Sequence, residues 1–334
     1  MTLVNFEKIR DAMEQIHGIA NHTPIMTSSS IDNIADCSLF FKCENFQKGG
    51  AFKFRGAYNS ISRLSEDEKE NGVIAHSSGN HAQAVALASQ ILGIDATIVM
   101  PSNSTKVKQK ATKGYGARVV MCEPTLESRE STTNAIISEE GQTLIHPYNN
   151  PKVIAGAGTA ALELLQERRG IDCVLAPVGG GGLISGTSLA AKGMNSEIQV
   201  IGVEPANADD AHKSFTTGKF HPSANPHTIA DGLLTSLGEL TFEIISGNVD
   251  EILLVDDMDI VKAMRLLWER MKIVVEPSAA VPLAGVMANK EIFEEKRVGI
   301  IISGGNVDVG SFFEQLEEEA AKNDAKQDSR HTPE

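Results

Sequence analysis

The sequence has little cysteine and no apolar run long enough to cross a membrane. Its four cysteines form no C-x-x-C pair, and their spread favours free thiols over a disulfide framework or a zinc site. The amino terminus also lacks the apolar core of a secretory signal. These absences predict a cytoplasmic protein without a membrane partner.

The sequence also lacks an excess of positive charge. It contains 30 Lys+Arg against 44 Asp+Glu, so its formal net charge is −14 at pH 7. This balance argues against nucleic acid as a partner. An anionic ligand therefore needs a local site, built from backbone amides or a few cations. The length of 334 residues, with 41% hydrophobic residues, is enough for two lobes with their own cores.

Short apolar strands alternate with helices in two series, after an amphipathic helix over 4–17 and a strand over 39–43. The first series has strands at 73–75, 96–100, 118–121 and 144–145, with helices at 80–92, 104–113 and 127–139. The second has strands at 173–178, 199–203, 252–255 and 298–302, with helices from 183 and over 257–271. This alternation predicts an α/β protein with two open, mostly parallel sheets covered by helices.

The first series is interpreted as a small domain over 69–149, inserted into a large domain made of 1–68 and 150–322. The polar, charged sequence from about residue 317 predicts a frayed helix, with a disordered tail over 323–334.

Lys53 lies between Phe52 and Phe54, just before a predicted helix. Apolar neighbours and a helix N-terminus both disfavour the charged amine, so the pKa of Lys53 is expected to be lowered. An amine of this kind can attack a carbonyl group. The alternative is a lysine whose stem merely passes two core aromatic rings.

Three loops that follow predicted strands carry groups suited to anions. Four consecutive glycines at 179–182 precede a helix and predict a phosphate cradle, although a tight turn is the alternative. The Ser-Ser-Gly-Asn-His segment at 77–81 suits a substrate carboxylate, or else simply caps a helix. Ser303 follows the last strand, where it faces a cofactor or makes a turn.

Glu204 and Asp210 place two carboxylates six residues apart, with backbone carbonyls between them. Oxygen ligands without sulfur suit Mg²⁺ or Ca²⁺. Helix capping by Asn207 or Asp209 is the alternative. Taken together, a reactive lysine, a phosphate cradle, a carboxylate loop and the absence of a nicotinamide fingerprint indicate pyridoxal phosphate as cofactor.

Four segments resemble, in the same order, the motifs of the serine racemases, a branch of the serine/threonine dehydratase family. These are fold-type-II pyridoxal phosphate enzymes, with a fold like the tryptophan synthase β subunit. The matching segments are 51–57, 77–81, 179–182 and 303–306, and the similarity runs from about residue 5 to about residue 312. The resemblance implies a small-molecule substrate and a homodimer.

The resemblance also implies residue roles. Lys53 is the Schiff-base lysine, and Ser78 is the second catalytic group. The implied cofactor contacts are Phe52, Lys53, Asn80, Gly179, Gly180, Gly181, Gly182, Leu183 and Ser303. The implied substrate contacts are Ser77, Ser78, His81 and Arg129. Glu204, Ala208 through its carbonyl and Asp210 match the family's site for Mg²⁺ or Ca²⁺. A site for ATP as a non-hydrolysed activator matches Ser28, Ser29, Lys48, Gln83, Tyr115, Lys272 and Asn306.

Three positions depart from the family pattern. Ala51 replaces the usual serine before Phe-Lys, and Tyr148 stands where animal enzymes have a cofactor-contacting asparagine. Gly49 replaces a threonine of the animal nucleotide site, which puts nucleotide activation in question.

The implied activity is the interconversion of L- and D-serine, accompanied by dehydration of serine to pyruvate and ammonia. The alternative is a dehydratase for L-serine, L-threonine or 3-hydroxyaspartate with little racemisation. A catalytically silent binding protein is a third possibility, against which the intact Lys53 and Ser78 argue.

Overall fold

The computed structural model describes residues 4–104, 106–308 and 310 of the chain. The strands are β1 (Ile25–Met26), β2 (Ser38–Cys43), β3 (Val73–His76), β4 (Ala96–Pro101), β5 (Arg118–Cys122), β6 (Thr143–Leu144), β7 (Cys173–Pro177), β8 (Gln199–Pro205), β9 (Glu251–Val255) and β10 (Arg297–Ile302). The helices are α1 (Phe6–Ile16), α2 (Ser29–Ala35), α3 (Lys53–Ile61), α4 (Glu66–Asn71), α5 (Asn80–Leu92), α6 (Lys106–Gly114), α7 (Leu126–Glu140), α8 (Pro151–Glu167), α9 (Gly182–Met194), α10 (Asp210–Thr217), α11 (Glu239–Asn248), α12 (Asp257–Leu266), α13 (Pro277–Ala288) and α14 (Lys290–Phe293).

Two sheets organise these elements. One has six strands in the order β1-β2-β10-β7-β8-β9, and the other has four in the order β5-β4-β3-β6. All pairings are parallel except β1 with β2. The fold class predicted from the alternating pattern is therefore confirmed. The domain boundaries stay a prediction, and the predicted tail lies outside the described residues.

The six-stranded sheet is buried on both faces. In β2, Leu39 and Phe41 pack into one apolar cluster, while Phe40 packs into the other. The first cluster includes residues of α2, α12 and α13, and the second includes residues of α1, α8, α9 and α11. A third cluster joins the four-stranded sheet to α3 and α5. Parallel sheets need such cover on both faces, since their strands carry apolar side chains on each.

Helix α8 was not anticipated from the sequence. It is almost entirely buried, and its apolar residues surround the helix instead of forming one stripe. Its glycines permit close helix contacts: a Cβ on Gly156 would lie 2.6 Å from the carbonyl oxygen of Arg55, and one on Gly158 would lie 2.7 Å from that of Gly186. Thus α8 packs backbone-to-backbone against α3 and α9.

Three further findings concern the end of α12, the cysteines and the membrane. A π-helical turn over Leu267–Met271 replaces the end of the helix predicted over 257–271. All four cysteines are free and buried, as expected. Among the described helices, none combines the length and the apolar character that crossing a bilayer requires.

Candidate active site

A cavity of about 440 Å³ lies at the carboxyl ends of strands from both sheets. Residues that follow β3, β7 and β10 line it, as expected for a ligand crevice in open parallel sheets. Its lining includes every predicted catalytic, cofactor and substrate residue: Phe52, Lys53, Ser77, Ser78, Asn80, His81, Arg129, Gly179, Gly180, Gly181, Gly182, Leu183 and Ser303. Segments far apart in the sequence are therefore brought into one site.

Lys53 is the first residue of α3, and its amine faces the cavity. Nζ donates a hydrogen bond of 2.8 Å to the carbonyl oxygen of Pro147 and lies 5.1 Å from the centre of the Phe52 ring. Burial lowers the pKa of Lys53 to about 8, while the nearby carboxylate of Glu276 acts in the opposite direction. The lowered pKa predicted from the flanking sequence is confirmed, with burial as its main cause.

The four glycines of the 179–182 loop are each crowded by a protein neighbour. A Cβ on Gly180 would lie 2.2 Å from the Tyr148 ring, and one on Gly182 would lie 2.9 Å from Tyr148 Cβ. Gly181 has φ +86°, which favours glycine, and a Cβ there would lie 2.8 Å from Thr241. Close packing therefore explains why this loop carries no side chains.

The glycine loop nevertheless fits a phosphate. Gly182 begins α9, a helix of 13 residues, so unpaired backbone amides and the positive end of the helix lie at the cavity wall. Thr241 Oγ1 donates to the Gly180 carbonyl at 2.8 Å and fixes the loop from outside. An amine and an anion-binding helix start that line one cavity are the donor set that pyridoxal phosphate requires.

The Ser77–Asn80 loop differs from a simple helix cap. Gly79 occupies the N-cap position of α5, and no side chain caps this helix. Ser77 Oγ accepts from the Gly79 amide at 3.2 Å, whereas Ser78 Oγ has no hydrogen-bond partner among the described residues. The hydroxyls of Ser77 and Ser78 therefore do not cap α5, so the capping alternative does not apply to them.

His81 and Arg129 both present unpaired nitrogens. His81 Nε2 lies 2.7 Å from the Ile145 carbonyl, so Nε2 carries the proton, and the buried Nδ1 is an acceptor without a partner among the described residues. Burial holds the pKa of His81 well below its usual value, so the ring is neutral. Arg129 Nε is also buried without a hydrogen-bond partner within the described part of the chain.

Ser303 is 3% exposed and directly follows β10. Its carbonyl accepts from the Phe52 amide at 2.9 Å, and Gly304 forms a bridge with Ala51. The end of β10 is thereby tied to the segment that carries Lys53. This pairing places the Ser303 side chain and the lysine on one cavity.

Sequence reasoning missed Glu276. This carboxylate is 5% exposed at the N-cap position of α13, lines the cavity, and accepts from Asn80 Nδ2 at 2.8 and 3.0 Å. Burial raises its pKa to about 7. Asn306 in turn donates to Asn80 Oδ1 at 2.9 Å. No motif surrounds Glu276 in the sequence, so only the tertiary structure reveals it.

Two histidines and Tyr148 were also not assigned roles. His76 and His146 line the cavity and lie edge to face, with ring centres 6.0 Å apart. Burial lowers the pKa of both, that of His146 to about 4. The Tyr148 hydroxyl lies 3.1 Å from Thr235 Oγ1, and its ring packs on the glycine loop.

The predicted metal ligands lie outside the cavity. Glu204 is 1% exposed and accepts from the amides of Ala211 and His212 at 3.1 and 2.8 Å. Asp210 is buried too, and neither of its oxygens has a formed hydrogen bond among the described residues, although the Ser223 hydroxyl and Leu237 amide lie near. Burial, with a smaller contribution from the Asp210 carboxylate, raises the pKa of Glu204 to about 9; burial also raises that of Asp210, to about 6.

The capping alternative fits this segment only in part. Asp209 holds the N-cap position of α10, but its side chain makes no capping hydrogen bond and pairs with Lys213 at 2.7 Å. Within the described residues, no group of three or more His, Cys, Asp or Glu side chains could hold a metal ion. A cation here would rely on two carboxylates and backbone carbonyls.

Of the seven predicted nucleotide contacts, only Asn306 lines the cavity. Asn306 Nδ2 also donates to the carbonyl of Gly49 at 2.7 Å, next to Lys48. Ser28 is the N-cap residue of α2, Gln83 is buried in α5, Tyr115 follows α6, and Lys272 is exposed after α12. The structure therefore joins one of these residues to the cavity.

Comparisons with known proteins agree with this site. A family model described as "Pyridoxal-phosphate dependent enzyme" matches residues 16–304. Serine racemase of Dictyostelium discoideum is 47% identical over 320 residues, covering 95% of this chain and 99% of the relative. L-threo-3-hydroxyaspartate ammonia-lyase of Saccharomyces cerevisiae is 47% identical over 310 residues, covering 92% and 95%.

The fold agrees equally well with solved structures. The structure of maize serine racemase superposes with a TM-score of 0.90 at 42% sequence identity, covering 96% of this chain and 99% of the other. With the matching family model and the cavity described above, these similarities establish that the chain belongs to the family of fold-type-II pyridoxal-phosphate dependent enzymes.

Proposed function

We propose that the protein is a serine racemase that also dehydrates serine to pyruvate and ammonia. The observation that carries this proposal is that Lys53 and Ser78 line the same cavity. When bound, pyridoxal phosphate supplies an aldehyde that joins to amines and a ring that withdraws electrons from the substrate's α-carbon. Relatives that carry the name serine racemase match over nearly their whole length.

The chain's residues supply the proton transfers. With its lowered pKa, the amine of Lys53 is partly neutral near pH 7 and can take the α-proton. Inversion needs a second group that returns a proton on the opposite side, and our candidate is the hydroxyl of Ser78, which lines the same cavity. Ser303 would bond the ring nitrogen, while the amides of 179–182 would hold the phosphate.

The proposal is tested by incubating the purified protein with L-serine, L-threonine, L-aspartate and 3-hydroxyaspartate. Both D-product and keto acid are measured. We expect D-serine and pyruvate from L-serine, and neither from the Lys53→Ala variant. Borohydride treatment should place a pyridoxyl group on the Lys53 peptide. Absence of D-serine from the parent protein would refute racemisation, and a label elsewhere would refute the role of Lys53.

A second candidate, dehydration of 3-hydroxyaspartate, is favoured by Arg129. Within the described part of the chain its Nε is buried without a hydrogen-bond partner, and it lines the cavity together with Lys108, which pairs with Asp231. Because arginine binds carboxylates through a planar fork, a substrate with a second carboxylate would suit it. Arg129→Lys should then weaken turnover of 3-hydroxyaspartate far more than that of serine, whereas equal losses would count against this candidate.

We further propose that Glu204, the Ala208 carbonyl and Asp210 bind Mg²⁺ or Ca²⁺. Support comes from two buried carboxylates, of which Asp210 has oxygens without a hydrogen-bond partner in the described part of the chain. ATP activation through Ser28, Ser29, Lys48, Gln83, Tyr115, Lys272 and Asn306, and a homodimer, are proposed from the family resemblance. Titration with MgATP and sedimentation would test the last two.

A further inference from the structure

A buried ion network lies behind the helix that carries Lys53. It consists of Arg55, Glu44, Glu163 and Lys42, whose side chains are at most 8% exposed. The network contains two positive and two negative groups, so its formal charge is balanced. None of the four lines the cavity, and no role described above uses them.

Arg55 stands at the centre of the network. Its Nε and Nη2 donate to the two Glu44 oxygens at 2.7 and 2.8 Å. Its Nη1 and Nη2 donate to the two Glu163 oxygens at 2.7 and 2.8 Å. Nη1 also reaches Thr159 Oγ1 at 3.2 Å. Each of the two carboxylates thus accepts two hydrogen bonds from the guanidinium, and this geometry leaves the guanidinium little freedom to move.

The remaining members hold the two carboxylates in place. Lys42 Nζ pairs with Glu163 at 2.6 Å and donates to the Thr23 carbonyl at 2.7 Å. The Thr23 hydroxyl donates to Glu44 at 2.5 Å. Burial alone would raise the pKa of Glu163, but Arg55 and Lys42 outweigh it and the pKa is lowered, so the pair stays charged.

Arg55 and Lys53 point to opposite sides of α3. An α-helix turns about 100° per residue, so side chains two positions apart diverge by about 200°. Lys53 faces the cavity, whereas Arg55 faces helix α8, where it pairs with Glu163. The first turn of α3 is therefore fixed by Arg55 on the side opposite the Lys53 amine.

The network is connected to the partner of the Lys53 amine through helix α8. Glu163 lies on α8, which begins at Pro151, four residues after the Pro147 carbonyl that accepts from Lys53 Nζ. Arg55 thereby locks α3 to the helix that follows that carbonyl. Helices α3 and α8 are also in close contact at Gly56, because a Cβ there would lie 2.6 Å from the Val153 carbonyl oxygen. This contact leaves α3 little room to move relative to α8.

Stability alone is a poor reason to bury four charges. Replacing a buried ion network with well-packed apolar side chains is often neutral or stabilising, because desolvation is costly. What bidentate pairs provide is a fixed position for the groups that they join. Catalytic groups need that fixity, since a misplacement of about 1 Å can cost about 10²-fold in rate.

We propose that Arg55, clamped by Glu44 and Glu163, is a positioning residue that sets the direction of the Lys53 amine toward the cofactor and the substrate's α-carbon. This inference rests on the proposed function.

The test compares Arg55→Met, Arg55→Lys and Glu163→Gln with the parent, each loaded with pyridoxal phosphate. Phe293→Ala is the control, because it removes a fully buried ring that precedes the amino end of β10, away from the cavity. The measurements are melting temperature, kcat and KM for L-serine, and the visible circular dichroism of the bound cofactor. The last reports the geometry of the lysine–cofactor bond, which a loss of stability alone does not change.

We expect Arg55→Met to lower kcat about 10²-fold with little change in KM, and to alter the visible dichroism. Arg55→Lys should recover part of kcat, and Glu163→Gln should change the dichroism while keeping the fold. The control should lose melting temperature only. The inference is overturned if Glu163→Gln and the foldable Arg55 variants keep the parent kcat and dichroism while losing stability like the control. A parent protein that binds no cofactor would instead refute the proposed function.

Discussion

The two walls of the cavity are built differently. The first wall consists of Lys53, the glycine loop at 179–182 and Ser303. The second consists of the 77–80 loop and Arg129, which belong to the four-stranded sheet and its helices. On the first wall a Cβ at Gly180 would collide with the Tyr148 ring at 2.2 Å, whereas on the second a Cβ at Gly79 would meet nothing within 4 Å.

Some polar groups of the walls differ in the same way, although Ser77 Oγ and Asn80 on the second wall are hydrogen-bonded. On the first wall, Lys53 and the Ser303 carbonyl already have partners within the protein. On the second wall, Ser78 Oγ and Arg129 Nε have none among the described residues. A crowded, pre-formed surface suits one invariant ligand, while an open surface with unpaired groups suits a reacting substrate. This difference supports our proposal that the first wall holds most of the cofactor, whereas Ser78 and Arg129 on the second wall act on the substrate.

The largest expected effect concerns the reactivity of the Lys53 amine on the first wall before the cofactor is bound. Burial lowers the pKa of Lys53 to about 8 from the usual 10.5. At pH 7 its neutral fraction should therefore exceed that of an ordinary lysine by about 10²-fold. The rate at which cofactor-free protein condenses with pyridoxal phosphate should rise with pH and level off above about pH 8.

The Glu276→Gln variant tests which neighbour sets the pKa of Lys53. Because the Glu276 carboxylate favours the charged amine, its neutral replacement should move the midpoint of the pH profile to lower pH. A midpoint near 10.5 in the parent protein would mean that the first wall does not activate Lys53.

The next largest effect should follow from adding a methyl group to the first wall. Gly180→Ala forces the Tyr148 ring to move, and overpacking of about 1–3 kcal/mol corresponds to a loss of cofactor affinity of about 5-fold to about 150-fold. Equilibrium binding of pyridoxal phosphate measures it. Gly79→Ala is the matched variant on the second wall and should bind cofactor like the parent.

Combining Gly180→Ala with Tyr148→Ala identifies the cause of that loss. If the ring is responsible, the double variant should recover affinity that Gly180→Ala lost. Equal losses in Gly79→Ala and Gly180→Ala would abolish the proposed difference between the walls.

The smallest expected effect concerns the cation. Glu204 lies on β8, beside the strand that leads into the glycine loop, and Leu237 lies between Asp210 and Gly181. Removing Mg²⁺ or Ca²⁺ with a chelator should lower the melting temperature and weaken cofactor binding a few-fold, by mass action on the folded state. The ratio of D-serine to pyruvate should stay unchanged, because the second wall is untouched. Glu204→Ala should remove the response to chelation, and a changed product ratio would contradict this account.

Much of this organisation could be predicted from the sequence, since parallel strands, strand-to-helix loops and glycine runs are local patterns. The order of the strands could not, because β2 pairs with β10 across more than two hundred residues. Helix α8 was missed because its residues are apolar on all sides and include glycines that only close helix contacts explain.

The candidate site shows the same limit. Lys53, Ser78 and the glycine loop stand in recognisable segments, and the cavity contains them all. Glu276 and the Arg55 network have no local signal, because their partners lie on other elements: Asn80 is 196 residues from Glu276, and Glu163 is 108 from Arg55. The neighbours that tune a catalytic lysine are set by the tertiary structure.

Ser78→Ala tests the central claim most directly, because it removes the hydroxyl that is proposed to act opposite Lys53. The measurement is the rate of D-serine and pyruvate formation from each serine enantiomer, with the cofactor's visible spectrum as a control for the first wall. We predict that racemisation falls at least about 10²-fold in both directions, and that dehydration of D-serine is lost with it. Dehydration of L-serine and the spectrum should persist. Racemisation near the parent rate, or equal loss of L-serine dehydration, would contradict the account.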